Sequence, residues 1–124
     1  MSILTSIPSL GEVTAIILLA EMPELGTMDK REVAALAGLA PITRQSGTWQ
    51  GKNYIRGGRS RVRKALYMPA LTAIRFNQQL GEKYIDLTSR GKPAKVAITA
   101  IMRKLIILAN ALIRDNRKWA KMGT

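Results

Sequence analysis

The chain contains neither cysteine nor histidine. Without cysteine there are no disulfides and no thiolate metal sites, which fits a reducing compartment. Without histidine, Ser-His-Asp and Cys-His nucleophile systems and any histidine-held zinc are excluded from this chain. Acidic residues are scarce: eight Asp and Glu stand against 20 Lys and Arg, giving a formal net charge of +12 and a pI near 10.8. The scarcity is concentrated. Between Val33 and Gly81 lie 49 consecutive residues with no acid and eight basic residues, seven of them between Arg44 and Lys64. An ordinary solvated surface mixes both signs of charge to limit self-repulsion, so this stretch reads as a surface for phosphate. Nucleic acid is the first partner class that such a charge implies, with an anionic membrane surface second. Met1 to Leu10 lack a basic start followed by an apolar run, so no secretory signal is read there. The most apolar stretch, Val96 to Ile113, is interrupted by Arg103-Lys104, which argues against a membrane span. The expectation is a soluble, cytoplasmic protein with no membrane partner.

What is present is a globular composition, 47% apolar over 124 residues, enough for a single domain with a hydrophobic core. Its periodicity predicts an all-α fold. Short helical material begins at Ser2, turns at Pro8-Ser9-Leu10-Gly11 and continues from Glu12 to Met22, burying Ala15, Leu18, Leu19 and Met22 before Pro23 stops it. A second helix runs from Lys30 to about Ala37, capped by Asp29 with Glu32 three residues on and ended by Gly38. From Leu39 to Gly58 no helical period is visible. A small irregular or β-hairpin insertion is expected at about 40–58, with Ile42–Gln45 paired to Trp49–Ile55 about Ser46-Gly47. Helix returns from Ser60 to Phe76, kinked at Pro69, and again from Asn77 to Ser89, closed by Gly91. Pro93 opens a long last helix reaching about Asn116. Lys95, Thr99, Arg103, Asn110 and Arg114 form its narrow polar stripe, and the remaining apolar surface marks a core helix or an oligomer contact. Arg117 to Thr124 reads as a basic, frayed tail.

Three features carry candidate chemistry. Ile7-Pro8-Ser9-Leu10-Gly11, followed by Glu12-Val13-Thr14-Ala15, looks like a helix-hairpin-helix over about residues 2–22. Such an element aims the backbone N–H groups at Gly11, Val13 and Thr14 toward a phosphate. The usual form has glycine where this chain has Ser9, and a plain helix connection with no ligand is the alternative. Gly57-Gly58-Arg59-Ser60-Arg61-Val62-Arg63-Lys64 is a second anion site: glycines permit close backbone approach, and a helix start brings Arg59, Arg61, Arg63 and Lys64. Arginine suits bidentate phosphate contact, although charge runs by default are solvated faces. Trp49 and Tyr54 lie nearby, placed either to stack on bases or to fill the core. The third feature is Ser46-Gly47, flanked by Arg44, Lys52 and Arg56. Arginines around a serine would ease alkoxide formation and stabilise a pentavalent phosphate, but Ser-Gly is also common turn chemistry. Tyr54, Tyr67 and Tyr84 are rival nucleophiles. The few acids, among them Glu12, Glu21, Glu24, Asp29 and Glu32, read as helix-end or surface charges, so no metal site is assigned.

Taken in order, these residues resemble a known family. Ile7-Pro8 through Ala15, Ala37-Gly38-Leu39-Ala40-Pro41, Gln45-Ser46-Gly47-Thr48, Arg63-Lys64-Ala65-Leu66-Tyr67 and Ala100-Ile101-Met102-Arg103-Lys104-Leu105 resemble the C-terminal transposase domain of insertion-sequence transposases guided by a bridge RNA. The resemblance runs from about Leu4 to Arg114. It implies a helical domain, here residues 1–124, that binds nucleic acid and supplies a serine nucleophile for DNA strand cleavage and transfer. The matching serine is Ser46. It also implies a separate RuvC-like domain with a Mg²⁺-binding acidic tetrad, and an oligomer assembled on DNA and guide RNA. This sequence has no room for that second domain, so the expectation is an excised domain or a truncated reading frame. No cofactor is expected within it, and strand cleavage is expected only with the RuvC-like partner. The rival expectation is a non-catalytic helix-hairpin-helix DNA- or RNA-binding module or an assembly domain.

Overall fold

The computed structural model describes residues 2–39 and 60–120. Every element among them is helical: α1 (Ser2–Thr5), α2 (Glu12–Glu21), α3 (Lys30–Leu36), α4 (Ser60–Phe76), α5 (Gln78–Ser89) and α6 (Ala94–Arg114). The hairpin expected at about 40–58 lies outside the described residues.

Local chemistry sets most of the boundaries. α2 stops at Glu21 because Pro23 drives the residue before it out of the helical region, and Met22 sits at φ −132, ψ 70. α3 opens with the expected capping box. The Asp29 carboxylate accepts the Glu32 N–H at 2.8 Å, and the Glu32 carboxylate accepts the Asp29 N–H at 2.9 Å. It closes at Gly38, whose φ of +75 lets the Leu39 N–H reach back to the Ala34 carbonyl at 2.8 Å. Pro69 lies inside α4, on its buried face, where it removes the donor that the Ala65 carbonyl would otherwise meet. The Asn77 side chain caps α5 by accepting the Leu80 N–H at 3.1 Å. Pro93 proves to be the N-cap of α6, one position outside its first turn.

α6 is the axis of the core. It packs against α1, α3, α4 and α5, and buries Ala97, Ile101, Leu105, Ile106, Ala109 and Leu112. By length and composition it would suffice to cross a membrane, yet here those side chains fill the interior with Leu4, Leu18, Met22, Val33, Val62 and Leu66. Gly81 lets α5 close tightly on α4: a Cβ there would lie 2.7 Å from the Ile74 carbonyl oxygen.

Three expectations are corrected. Leu19 is 37% exposed, because the buried stripe of α2 runs through Ala15, Leu18 and Met22 and leaves Leu19 at its edge. Asn110 is not part of a solvated stripe. It is 2% exposed, since the α2–α3 connection covers that part of α6. Its side chain donates to the Met28 carbonyl at 2.7 Å and accepts the Gly26 N–H at 2.6 Å. The tail does not fray at Arg117: the Trp119 N–H donates to Ser6 Oγ at 2.8 Å, and its half-buried ring packs on the core. Just before that return, Arg114 hydrogen-bonds Asp115 at 3.1 Å, which holds the carboxyl below its usual range.

Candidate nucleic-acid interface

Of the residues assigned to phosphate or catalysis, Arg44, Ser46, Lys52, Arg56, Gly57, Gly58 and Arg59 lie outside the described residues, as do Trp49 and Tyr54. The described ones are Arg61, Arg63 and Lys64 on α4, and Gly11, Val13 and Thr14 at the start of α2.

α4 contains no acidic residue and buries Val62, Leu66, Pro69, Ala70 and Ala73. That buried face turns the opposite side of the helix outward. Arg61, Lys64, Met68, Leu71 and Arg75 follow one another at steps of three or four, so they form one stripe. Met68 is 63% exposed, and Tyr67 beside it is 46% exposed. At the C-terminal end the Arg75 guanidinium stands 5.8 Å from the centroid of the Phe76 ring, itself largely exposed. The face therefore alternates cations with aromatic and thioether carbon, which suits phosphate and bases together. Arg75, Phe76 and Met68 escaped the sequence reading because they stand apart from the densest charge run. Continuing the Arg61–Lys64 stripe two turns along an acid-free helix would have found Arg75 and Met68.

The three assigned α4 cations differ in their surroundings. Arg61 pairs with Glu21 at the end of α2 at 3.3 Å, with its side chain 79% exposed. Such a pair is worth little and yields readily to a phosphate. Lys64 is exposed. Arg63 is half-buried and lies against Gly38, with Nη1 2.5 Å from where a Cβ on that residue would be.

At the other candidate, Gly11 is the N-cap of α2 in extended conformation and makes no side-chain cap. The N–H groups from Gly11 to Thr14 are those a helix start leaves without intrahelical partners. Gly11 and Val13 are exposed and Thr14 is half-buried. Ser9 takes φ +83, the left-handed conformation for which the hairpin pattern usually supplies glycine. The turn geometry is thus kept by a residue poorly suited to it. The Ser9 hydroxyl is buried with no hydrogen-bond partner among the described residues. Glu12, in the first turn of α2, opposes an anion at this end.

Among the described residues, no three Asp or Glu side chains gather closely enough to hold a metal ion. Comparison with known proteins adds what the geometry leaves open. Residues 1–85 match the profile of the family described as Transposase IS116/IS110/IS902. The chain belongs to that transposase family. Pilin gene-inverting proteins of Moraxella bovis and Moraxella lacunata are each 35% identical to it over 124 positions, covering 97% of this chain and 38% of theirs. An uncharacterized 43.6 kDa protein of insertion element IS110 from Streptomyces coelicolor is 32% identical over 91% of the chain and 28% of its own length. The transposase-family chain thus spans about two fifths or less of these curated relatives. The matched profile includes the α1–α2 turn, the whole acid-free window and all of α4.

Proposed function

We propose that this domain is the nucleic-acid-binding, serine-bearing part of a DNA transposase. The observation that carries the reading is the α4 face: exposed Arg61, Lys64 and Arg75 with Tyr67, Met68 and Phe76, on a helix free of acid. Membership of a transposase family supports DNA as the polyanion for this face. Arg44, Lys52, Arg56 and Arg59, with the backbone at Gly57 and Gly58, extend the basic surface along the sequence, and the amides of Gly11, Val13 and Thr14 offer a second clamp.

Ser46 is the proposed nucleophile. Its hydroxyl oxygen forms a bond to phosphorus as its proton passes to water. The bond from phosphorus to one strand's oxygen breaks, and that oxygen takes up a proton to leave as a hydroxyl. A covalent phosphoserine link remains, and the reverse attack by a strand hydroxyl completes transfer. Arginines beside the reacting phosphate stabilise the charge that builds in the pentavalent state. No Mg²⁺ ligand is assigned among the residues of this domain. We assign that ion to a RuvC-like domain of the complete enzyme, and guide RNA and further copies of the protein to the cytoplasmic complex formed on DNA.

The test is Ser46→Ala in a complete transposase carrying this domain. The expected result is loss of strand transfer with DNA affinity retained. Transfer that survives with binding unaltered leaves the second reading, a binding module without chemistry, which the α4 face alone would satisfy.

A further inference from the structure

Two sequence motifs that flank the Ser46 segment meet in the fold. One ends α3 with Ala37-Gly38-Leu39, and the other opens α4 with Arg63-Lys64-Ala65. The contact between them is the Arg63 head group on Gly38: Nη1, Cζ and Cδ lie 2.5, 3.7 and 3.9 Å from the position of an absent Cβ. Glycine suits this position by its φ of +75, and the guanidinium occupies the space a Cβ would take. α3 has no basic residue in its own last turn, and Arg63 brings a permanent cation beside Gly38, just past its end. Arg61 and Lys64 on the same turn face solvent, whereas Arg63 is half-buried.

We infer that Arg63 is a positioning residue: seated on the bare backbone of Gly38, it clasps the end of α3 to the first turn of α4. It thereby fixes the two points, Leu39 and Ser60, between which residues 40–59 are strung. Fixing both ends of a segment restricts where its residues can be placed relative to the rest of the domain. The functional part of this inference rests on the reading of Ser46 as nucleophile; the clasp itself does not. Arg63 differs in this from a cation whose work is to neutralise phosphate.

The experiment compares Arg63→Ala, Arg63→Lys, Gly38→Ala and the double variant R63A/G38A. The first readout is hydrogen exchange at Gly38 and Leu39, whose amides bond Ala35 and Ala34 at 3.0 and 2.8 Å, with α6 amides as internal control. Loss of the clasp should speed exchange at those two amides by roughly tenfold and leave α6 unchanged. Lysine, a point charge without the flat head, should not rescue it. Gly38→Ala should speed exchange more than Arg63→Ala, because it adds the strain of its own φ of +75, and the double variant should match Gly38→Ala and not exceed it. The second readout is duplex DNA binding as a function of salt, where R63A should keep the wild-type slope. The third is strand transfer by the complete transposase, where R63A and R63K should lower the rate about tenfold or more at unchanged affinity. Exchange at wild-type rate in both Arg63 variants, with the salt slope reduced by about 0.9, would overturn the clasp and make Arg63 a phosphate ligand. Ser46→Ala that leaves transfer intact while R63A still speeds exchange supports the clasp and overturns the nucleophile reading alone.

Discussion

Replacing Asn110 by alanine removes a polar bracket from the middle of the core. The side chain serves two backbone groups of the α2–α3 connection: it accepts from Gly26 at 2.6 Å and donates to Met28 at 2.7 Å. Truncation leaves the Met28 carbonyl and the Gly26 N–H without these partners. An orphaned buried polar group costs about 1–3 kcal/mol, and less where water can reach it. Gly26 is only partly buried, so the two together come to about 3 kcal/mol, a large share of a stability of roughly 5–15 kcal/mol. Urea unfolding followed by helical circular dichroism is the assay, with the midpoint falling at nearly constant slope. Asn110→Leu should be no milder, because filling the volume restores neither bond. Asn110→Asp keeps both a donor and an acceptor only while its carboxyl is protonated, and should grow worse as pH rises and the buried carboxyl ionises and loses the donor. A loss under about 0.5 kcal/mol for N110A would refute the reasoning, since the connection would then not depend on this bracket. Nucleic-acid affinity of the folded variant should be unchanged.

Two other substitutions test the backbone. Ser9→Gly should stabilise the domain by about 1 kcal/mol, because it relieves a left-handed residue and removes a buried hydroxyl that has no partner among the described residues, less the added freedom of the unfolded chain. A lower unfolding midpoint would contradict this. Gly81→Ala should destabilise by about 1 kcal/mol or more despite alanine's better helix propensity, because its Cβ meets the Ile74 carbonyl, which is backbone and cannot swing away. A raised midpoint would show that α4 and α5 are less tightly closed than described.

The sequence announced what local chemistry controls. Pro23, the Asp29–Glu32 box and Gly38 each act within a few residues of themselves, so the ends of α2 and α3 were readable, and so were the proline inside α4 and the long apolar α6. What depends on elements distant in the chain was not. Asn110 shares its helical spacing with Arg103 and Arg114, and nothing in that spacing reveals that the α2–α3 connection lies over it. Trp119 falls in a basic tail, and only the proximity of Ser6 shows that the tail returns to α1. At the candidate site, the density of charge pointed to the start of α4 but not to Arg75 and Phe76 at its far end. It also could not separate Arg63, turned onto Gly38, from Lys64, turned to solvent, because consecutive helical positions differ by about 100°. Ser46 lies in the stretch where no period was visible; its flanking cations raised it only as a candidate, and the resemblance supplied the proposed role of nucleophile.

The most direct test of the central claim, that the α4 face grips nucleic acid, is the salt dependence of duplex DNA binding by the wild-type chain and by Lys64→Ala/Arg75→Ala. If each cation neutralises one phosphate, log affinity should fall linearly with log salt, and the double variant should be shallower by about 0.9 per lost contact, with its unfolding midpoint nearly unchanged. A flat salt response in the wild type, or the same slope in both proteins, would contradict it.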